Sequence, residues 1–417
     1  MNLIKEITLN GKNYVFNGKS LELFEKDDDE YFFEYLKEDS AIEAPYKNIK
    51  NTDCLFKLTL NVSNFCNLKC KYCYASHGNY GRPSSFMTKE TVDFIIDDIK
   101  KRGFTSLYVV SLFGGEPTMN FDVVDYIIKK FELEFDKIFK FELTTNGTFL
   151  NKDRLTFLRD HNVKLVVSID GPEDITDYLR GVGSHEIAYN IIKLAKEIKY
   201  KDIESSATFT KAHLEMGYNY NDIVEYFRSL EINSSISKVS INKESKLYIE
   251  DTINKEEFVN IVRNEIMMIY NGIPKILNPY LYAFLNSLIY GIKSFQFCDE
   301  LQTNYSLAYD YDGALYNCFR LWGKKEFEIK NNELISFELS DINSKESFKK
   351  CKDCWARYLC KQCAAEIALG EVSLQIENDV CKDEIMFEIC LVEFLSFIEK
   401  NDLYILVNNF EKYIRYQ

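Results

Sequence analysis

The sequence has no run of about 18 uncharged apolar residues, the length a membrane-spanning helix needs. Its start, Met1-Asn2-Leu3-Ile4-Lys5-Glu6, lacks the basic-then-apolar order of a secretory signal. Basic residues are in deficit: 51 Lys and Arg stand against 65 Asp and Glu, for a formal net charge of -14. Nucleic acid and membrane surfaces are thereby disfavoured as partners, because both reward clustered positive charge. Histidine is scarce. Only His77, His161, His185 and His213 are present, no two of them close in sequence, so any metal chemistry is thiolate chemistry. Internal repeats and low-complexity linkers are also missing. A chain of 417 residues, 46% hydrophobic and 15% aromatic, can bury the core of one large domain with smaller attachments. A soluble cytoplasmic protein is expected.

Against these absences stand twelve cysteines. Cytoplasmic thiols stay reduced, so disulfides are the weaker account of them and metal ligation the stronger.

Residues 1 to 50 read as a small α+β element. Short strands are expected at Ile7-Thr8-Leu9, Tyr14-Val15-Phe16 and Leu21-Glu22-Leu23, joined by turns at Asn10-Gly11 and Asn17-Gly18. A helix through Tyr31 to Leu36 should follow the acidic run Asp27 to Glu30. From about 55 to 242, strand-like runs near 55–61, 106–113, 138–144, 163–169, 203–209 and 237–241 alternate with stretches of helical period. Six strand-helix units fit an α/β fold, a partial (β/α)6 TIM-like barrel with its chemistry at the C-terminal strand ends. Residues 255–297 look helical, Ser306-Leu307-Ala308-Tyr309 and Leu315-Tyr316 a hairpin about Asp312-Gly313, and 384–417 an apolar helical tail.

The first cysteine group is Cys66-Asn67-Leu68-Lys69-Cys70-Lys71-Tyr72-Cys73, a CxxxCxxC spacing directly after the first barrel strand. Three thiolates hold three irons of a four-iron cluster and leave one iron open for a small molecule, whereas four would close it. A zinc knuckle short of one ligand is the bland alternative. Leu112-Phe113-Gly114-Gly115-Glu116-Pro117 ends the second strand; alone it would be a turn. Val167-Ser168-Ile169-Asp170-Gly171-Pro172 ends the fourth, with Arg180 twelve residues after Ser168, and Asp170-Gly171-Pro172 reads equally as a plain turn. The spacing, the strand-loop context and Tyr72 before the third cysteine resemble the radical S-adenosylmethionine superfamily. That resemblance implies a cluster at Cys66, Cys70 and Cys73. It implies cofactor contacts from Tyr72, Gly114, Gly115, Glu116 and Pro117, the last four meeting the methionine amino group. Ser168 and Arg180 would bind the carboxylate and ribose, and Arg suits bidentate carboxylate recognition. Asn146, in Thr145-Asn146-Gly147, lines the same cavity or simply a turn.

Seven more cysteines follow: Cys298, Cys318, Cys351-x2-Cys354-x5-Cys360-x2-Cys363 and Cys381. Four of them, at 351 to 363, would also suit structural zinc. The whole array resembles the SPASM extension of peptide-modifying radical enzymes, which implies two auxiliary four-iron clusters. The first would use Cys298, Cys318 and Cys363, the second Cys351, Cys354, Cys360 and Cys381. The fullest form of the pattern has a further cysteine where this chain has Leu301 to Asn304, so the first auxiliary trio has room for a substrate thiolate unless Cys54 or Cys390 fills it. Sulfatase-maturing relatives place an aspartate base after the third auxiliary cysteine; here Cys318 is followed by Phe319 and Arg320. Tyr316-Asn317-Cys318-Phe319-Arg320-Leu321-Trp322-Gly323 is more similar to the thioether-forming sactipeptide and ranthipeptide maturases.

The expected organisation is an N-terminal element at 1–50, a radical domain at 51–285, a SPASM domain at 286–385 and a C-terminal helix at 386–417. The N-terminal element is either a partial leader-peptide recognition module or a cap on the barrel's bottom. The expected activity is formation of a sulfur-to-carbon thioether from a cysteine in a ribosomally made precursor peptide. Three four-iron clusters, S-adenosylmethionine and a donor such as flavodoxin or ferredoxin are implied; no protein base is assigned. Formylglycine-type oxidation or carbon-carbon crosslinking is the rival within enzymes, and a non-catalytic electron-transfer or zinc-scaffold protein the rival from another class.

Overall fold

The strand-like run just before the first cysteine group lies inside the main sheet, with a neighbour on each side. In the computed structural model, which describes residues 3–26, 30–31, 53–241, 244–249, 255–272, 278–298, 306–330, 342–370 and 381–415, this run is the strand Cys54–Asn64. Nine of its eleven residues are buried, the pattern of a strand covered on both faces.

Thirteen strands are described. β1 Ile4–Leu9, β2 Lys12–Asn17, β3 Glu22–Glu25 and β4 Glu30–Tyr31 form one antiparallel sheet in sequence order. The other sheet contains β5 Cys54–Asn64, β6 Ser85–Phe86, β7 Ser106–Gly114, β8 Lys137–Thr145, β9 Val163–Ser168, β10 Ile203–Phe209, β11 Asn233–Lys238, β12 Ser306–Tyr309 and β13 Leu315–Tyr316. Its order is β11-β10-β9-β8-β7-β5-β12-β13, with β6 paired to the end of β5. From β11 through β12 every pairing is parallel, and helices such as Lys89–Lys101 and Phe121–Glu134 bury apolar faces against it. Val92, Ile95, Ile96 and Ile99 make the buried stripe of the first of these helices, which starts where the Thr88 side chain accepts from Thr91 N–H.

The first five expected barrel strands stand within a few residues of their expected positions. The sixth lies at 233–238 rather than 237–241. Asn-Ser-Ser-Ile-Ser-Lys has no apolar run to reveal it, because this outermost strand pairs on one side only and is largely exposed. The hairpin at 306–316 forms as expected, with Ala308 opposite Tyr316, but β12 also adds in parallel to β5, Ser306 opposite Lys57 and Tyr309 opposite Leu60. Its Leu307, Tyr309 and Leu315 enter the core of the parallel sheet.

A second core gathers helices Lys255–Tyr270, Pro279–Tyr290, Lys382–Ile398 and Leu403–Arg415. The N-terminal sheet packs here through Tyr14, Phe16, Leu21 and Leu23, with the Phe16 ring edge-on to Trp355 at 5.7 Å. Most of the helix expected through Tyr31 to Leu36, and the segment Leu301 to Asn304, lie outside the described residues.

Candidate active site

All three cysteines of the first group sit in the loop that leaves the C-terminal end of β5, and the end of β7 is shaped to receive that loop. Ser63 and Phe65 carbonyls accept from Gly115 N–H (2.7 Å) and Glu116 N–H (2.9 Å). A side chain at Gly115 would place Cβ 2.4 Å from Phe65 O and 3.0 Å from Cys66 N; one at Gly114, where φ is +131°, would lie 2.4 Å from Asn61 Oδ1. Gly115 is therefore required by contact with the cysteine loop itself, and Gly114 by its positive φ and by contact with the end of β5.

Glu116 is buried, 1% exposed, and its carboxylate is fully engaged. It accepts from Thr118 N–H (3.0 Å), the Thr118 and Thr145 hydroxyls, and Asn146 N–H (2.7 Å). Burial raises its pKa against the lowering effect of these bonds. The side chain thus stitches β7 to β8. Asn146, pinned by Glu116, reaches the cysteine loop: its Nδ2 donates to Asn67 Oδ1 at 3.0 Å and lies 3.8 Å from Cys66 Sγ.

On the other side, Tyr72, Asp170 and Arg180 close a triangle. The Tyr72 hydroxyl donates to Asp170 Oδ2 (2.7 Å), and Arg180 grips the same carboxylate through Nε (2.8 Å) and Nη2 (2.9 Å). The guanidinium also stands 5.6 Å from the Tyr72 ring centroid. Asp170 is fully buried and accepts in addition from Thr208 N–H at 2.9 Å. Ser168, at the end of β9, is half-buried, and its hydroxyl makes no hydrogen bond among the described residues. His213 escaped the sequence reading: fully buried, it donates from Nε2 to the Asp170 carbonyl (3.0 Å) while Nδ1 accepts from Thr210 N–H (3.1 Å). Burial lowers its pKa, so the neutral tautomer with the proton on Nε2 fits both bonds.

None of the twelve cysteines is in a disulfide. Burial pushes Cys66 up to about 12, while a bond from Leu68 N–H works against the rise. Cys70 is pushed up to about 11, with Arg180 opposing. Buried thiols of this kind become ligands only when a cation draws off their protons. Among the described residues no three His, Cys, Asp or Glu side chains are gathered to hold a single metal ion. In a multi-iron cluster each sulfur binds its own iron, and the sulfurs need not share one coordination sphere.

The later cysteines fall into two groups by mutual influence. Cys318, pushed up to about 12 chiefly by burial, has Cys363 and Cys298 as its sulfur neighbours. Cys351, Cys354 and Cys360 each have Cys381. Cys54 lies at the start of β5, at the opposite end from the first cysteine loop, and Cys390 in the helical core beside Glu265. Two buried polar side chains without a sequence signal brace these groups. Asn343 brackets Cys298, accepting from its N–H (2.8 Å) and donating to its carbonyl (3.1 Å). Lys345, 1% exposed, donates to the carbonyls of Ser294 (2.7 Å), Arg357 and Cys360 (2.6 Å each).

An aromatic cluster bridges the first cysteine loop and Cys318. Phe319 packs on Phe113 (4.9 Å) and Tyr74 (6.2 Å), and Trp322 on Tyr80 (5.5 Å). Burial raises the Tyr74 pKa, and Cys318 and Cys73, one from each group, add to the rise. Arg320 lies over the Tyr74 ring at 4.9 Å, bonds Ser240 Oγ at 3.0 Å and pairs with Glu366 at 3.6 Å.

Comparison with known proteins converges on one kind of domain. Residues 60–230 match the radical SAM superfamily. The cysteine-type anaerobic sulfatase-maturating enzyme of Clostridium novyi is 25% identical over 368 residues, 82% of this chain and 93% of that protein. The radical SAM cyclopropyl synthase TigE of Paramaledivibacter caminithermalis is 24% identical over 251 residues, 56% of this chain; the chain spans 48% of the length of that relative. Among solved structures, native anSMEcpe with bound AdoMet and Kp18Cys peptide superposes with a TM-score of 0.61 at 16% identity, covering 82% of this chain and 98% of that one. SuiB of Streptococcus suis bound to precursor peptide SuiA gives 0.53 at 19%, covering 78% and 75%. These structural likenesses are of fold. No helix among the described residues is long and apolar enough to cross a membrane.

Proposed function

From the premise that residues 60–230 are a radical SAM domain, we propose that the chain is a peptide-modifying radical SAM enzyme that forms a thioether within a precursor peptide. The observation that carries the reading is the grouping of sulfurs: a trio at the end of β5, a trio of Cys298, Cys318 and Cys363, and a quartet around Cys381. Cys66, Cys70 and Cys73 would hold a four-iron cluster which, with S-adenosylmethionine, supplies reductive cleavage of that cofactor and a hydrogen-abstracting radical.

The chain's own residues prepare this site. Gly114 and Gly115 let the cysteine loop lie directly on the end of β7, and Glu116 with Asn146 fixes β8 beneath it. Tyr72 and Arg180 face it from the far side. Phe113, Phe319, Tyr74, Tyr80 and Trp322 present apolar surface between the first trio and Cys318, excluding water where a peptide side chain would sit. A trio at Cys298, Cys318 and Cys363 leaves room for one substrate thiolate, which supports sulfur as the partner of the activated carbon. The substrate is a cysteine-bearing precursor peptide, and flavodoxin or ferredoxin the electron donor; relatives that act on sulfatases or bind a precursor peptide support a peptide substrate.

Formylglycine formation is the second reading, favoured by the full-length match to the C. novyi enzyme. Against it, the residues after Cys318 are aromatic and cationic, with Arg320 paired to Glu366 and no carboxylate in the place of a base. Anaerobic reconstitution tests the premise: three clusters correspond to about twelve irons per chain. A Cys66→Ala, Cys70→Ala, Cys73→Ala variant should retain about eight and make no 5'-deoxyadenosine. Cofactor cleavage by that variant overturns the assignment. Mass spectrometry then separates products, since a thioether removes two hydrogens and leaves the cysteine unable to be alkylated.

A further inference from the structure

Asp170 looks, in sequence, like the first residue of an Asp-Gly-Pro turn, yet its buried carboxylate is where the rim of the barrel converges. It receives Tyr72 from the cysteine loop, Arg180 from the helix Glu173–Arg180 and Thr208 N–H from β10. Its backbone is fixed as well, by His213 on the carbonyl and the Thr176 hydroxyl on the N–H. The helix bearing Arg180 also touches the loop directly, Lys71 N–H donating to the Leu179 carbonyl at 2.9 Å.

The orientation of Arg180 follows from which nitrogens are used. Nε and Nη2, one edge of the planar guanidinium, are taken up by Asp170. Nη1 makes no hydrogen bond among the described residues. A guanidinium held by one edge presents the remaining N–H groups in a fixed direction, and pre-paid orientation is what gives a single charged contact its strength. The same carboxylate fixes the Tyr72 hydroxyl, one position before the third cysteine.

We propose that Asp170 is a positioning residue: it aims Arg180 Nη1 at an anionic group of the ligand bound beside Cys70, the carboxylate of an S-adenosylmethionine-class cofactor, and locks Tyr72 in the same act. This rests on the proposed radical SAM reading. Asp170 touches no ligand, so its effect passes through Arg180 and Tyr72 and vanishes when they are absent.

The test measures cofactor binding by anaerobic equilibrium dialysis of S-adenosylmethionine, with iron content alongside. Asp170→Asn should weaken binding tenfold or more while iron stays at the wild-type level. Asp170→Asn combined with Arg180→Gln should bind no worse than Arg180→Gln alone, because the guanidinium through which Asp170 acts on binding is already gone, the Tyr72 route being read separately by resonance. Tyr72→Phe, which deletes one hydroxyl and spares the fold, should change the electron paramagnetic resonance response of the reduced protein to cofactor, and Asp170→Asn should reproduce that change. Wild-type affinity in Asp170→Asn, or additive losses in the double variant, overturns the proposal. Should Asp170→Asn fail to fold, an unaltered resonance response in Tyr72→Phe overturns it equally. Failure of the wild-type chain itself to bind the cofactor sinks instead the radical SAM reading.

Discussion

Arg82 and Asp310, 228 positions apart in sequence, meet at 2.5 Å between Nη2 and Oδ2. Arg82 follows the first cysteine loop, and Asp310 follows β12 in the hairpin that leads to Cys318, so the pair ties one group of sulfurs to the other. Asn61 completes the arrangement by donating to Asp310 Oδ1 at 2.7 Å. Asp310 is fully buried; removing Arg82 leaves its charge without its partner. Arg82→Leu should destabilise the protein by about 3 kcal/mol, with Asp310→Asn restoring part of the loss in the double variant. Denaturant midpoints of the four proteins measure this, and additive single losses would deny the coupling.

Gly115 does not have a positive φ, so alanine there is resisted only by contact with Phe65 O and Cys66 N. Gly115→Ala should displace the first cysteine loop and leave about eight irons of about twelve, with the later cysteines loaded. Full iron content in this variant would mean the loop tolerates the shift.

We propose that Cys54 and Cys390 serve packing and ligate no iron. Replacing either by alanine should leave the iron count unchanged, and a fall of about four irons would make that residue a ligand. The Cys390 site, enclosed in the helical core, should show a modest loss of stability, about 1 kcal/mol, from the small void.

Glu265 sets a pH dependence. Burial pushes its pKa up to about 7 from 4.5, opposed by the Asn278 N–H that donates to it and by Arg228; Tyr220 and Cys390 are its other titratable neighbours. The folded protein holds this proton more tightly than the unfolded chain. Its contribution to stability is therefore full below about pH 4.5 and is lost as pH rises toward about 7. Glu265→Gln should flatten that slope, read as the urea midpoint at pH 5 and pH 7.5. An unchanged slope would place the titration elsewhere.

How much was legible in the sequence varies with the physical signal. The five barrel strands flanked on both sides announce themselves as apolar runs, while β11, an exposed edge of Ser and Asn, hid its register. Cysteine spacing located the trios because chelation is local; it said nothing of Asn343 or Lys345, whose bonds to Cys298 and Cys360 span 45 and 15 positions. Spacing did not reveal that Glu116 is bonded by Thr145 and Asn146, or Arg180 by Asp170, because these partners arrive from other parts of the chain. Asp170 itself was indistinguishable from a turn residue until its neighbours in space were known.

The parallel pairing of β12 with β5 has a consequence for synthesis. Asn61 of β5 and Asp310, which follows β12, are separated by 249 residues, so the central strand emerges from the ribosome long before its second neighbour exists. Until then one side of β5 presents unpaired N–H and C=O groups, an edge that other chains can extend. Long-range pairing of this kind forms late and slowly, and the partly made sheet is the species most exposed to aggregation. Closing the sheet and delivering Cys318 to its place beside the first cysteine loop are one event, so a nascent chain has both its covered edge and its second set of sulfurs, or neither.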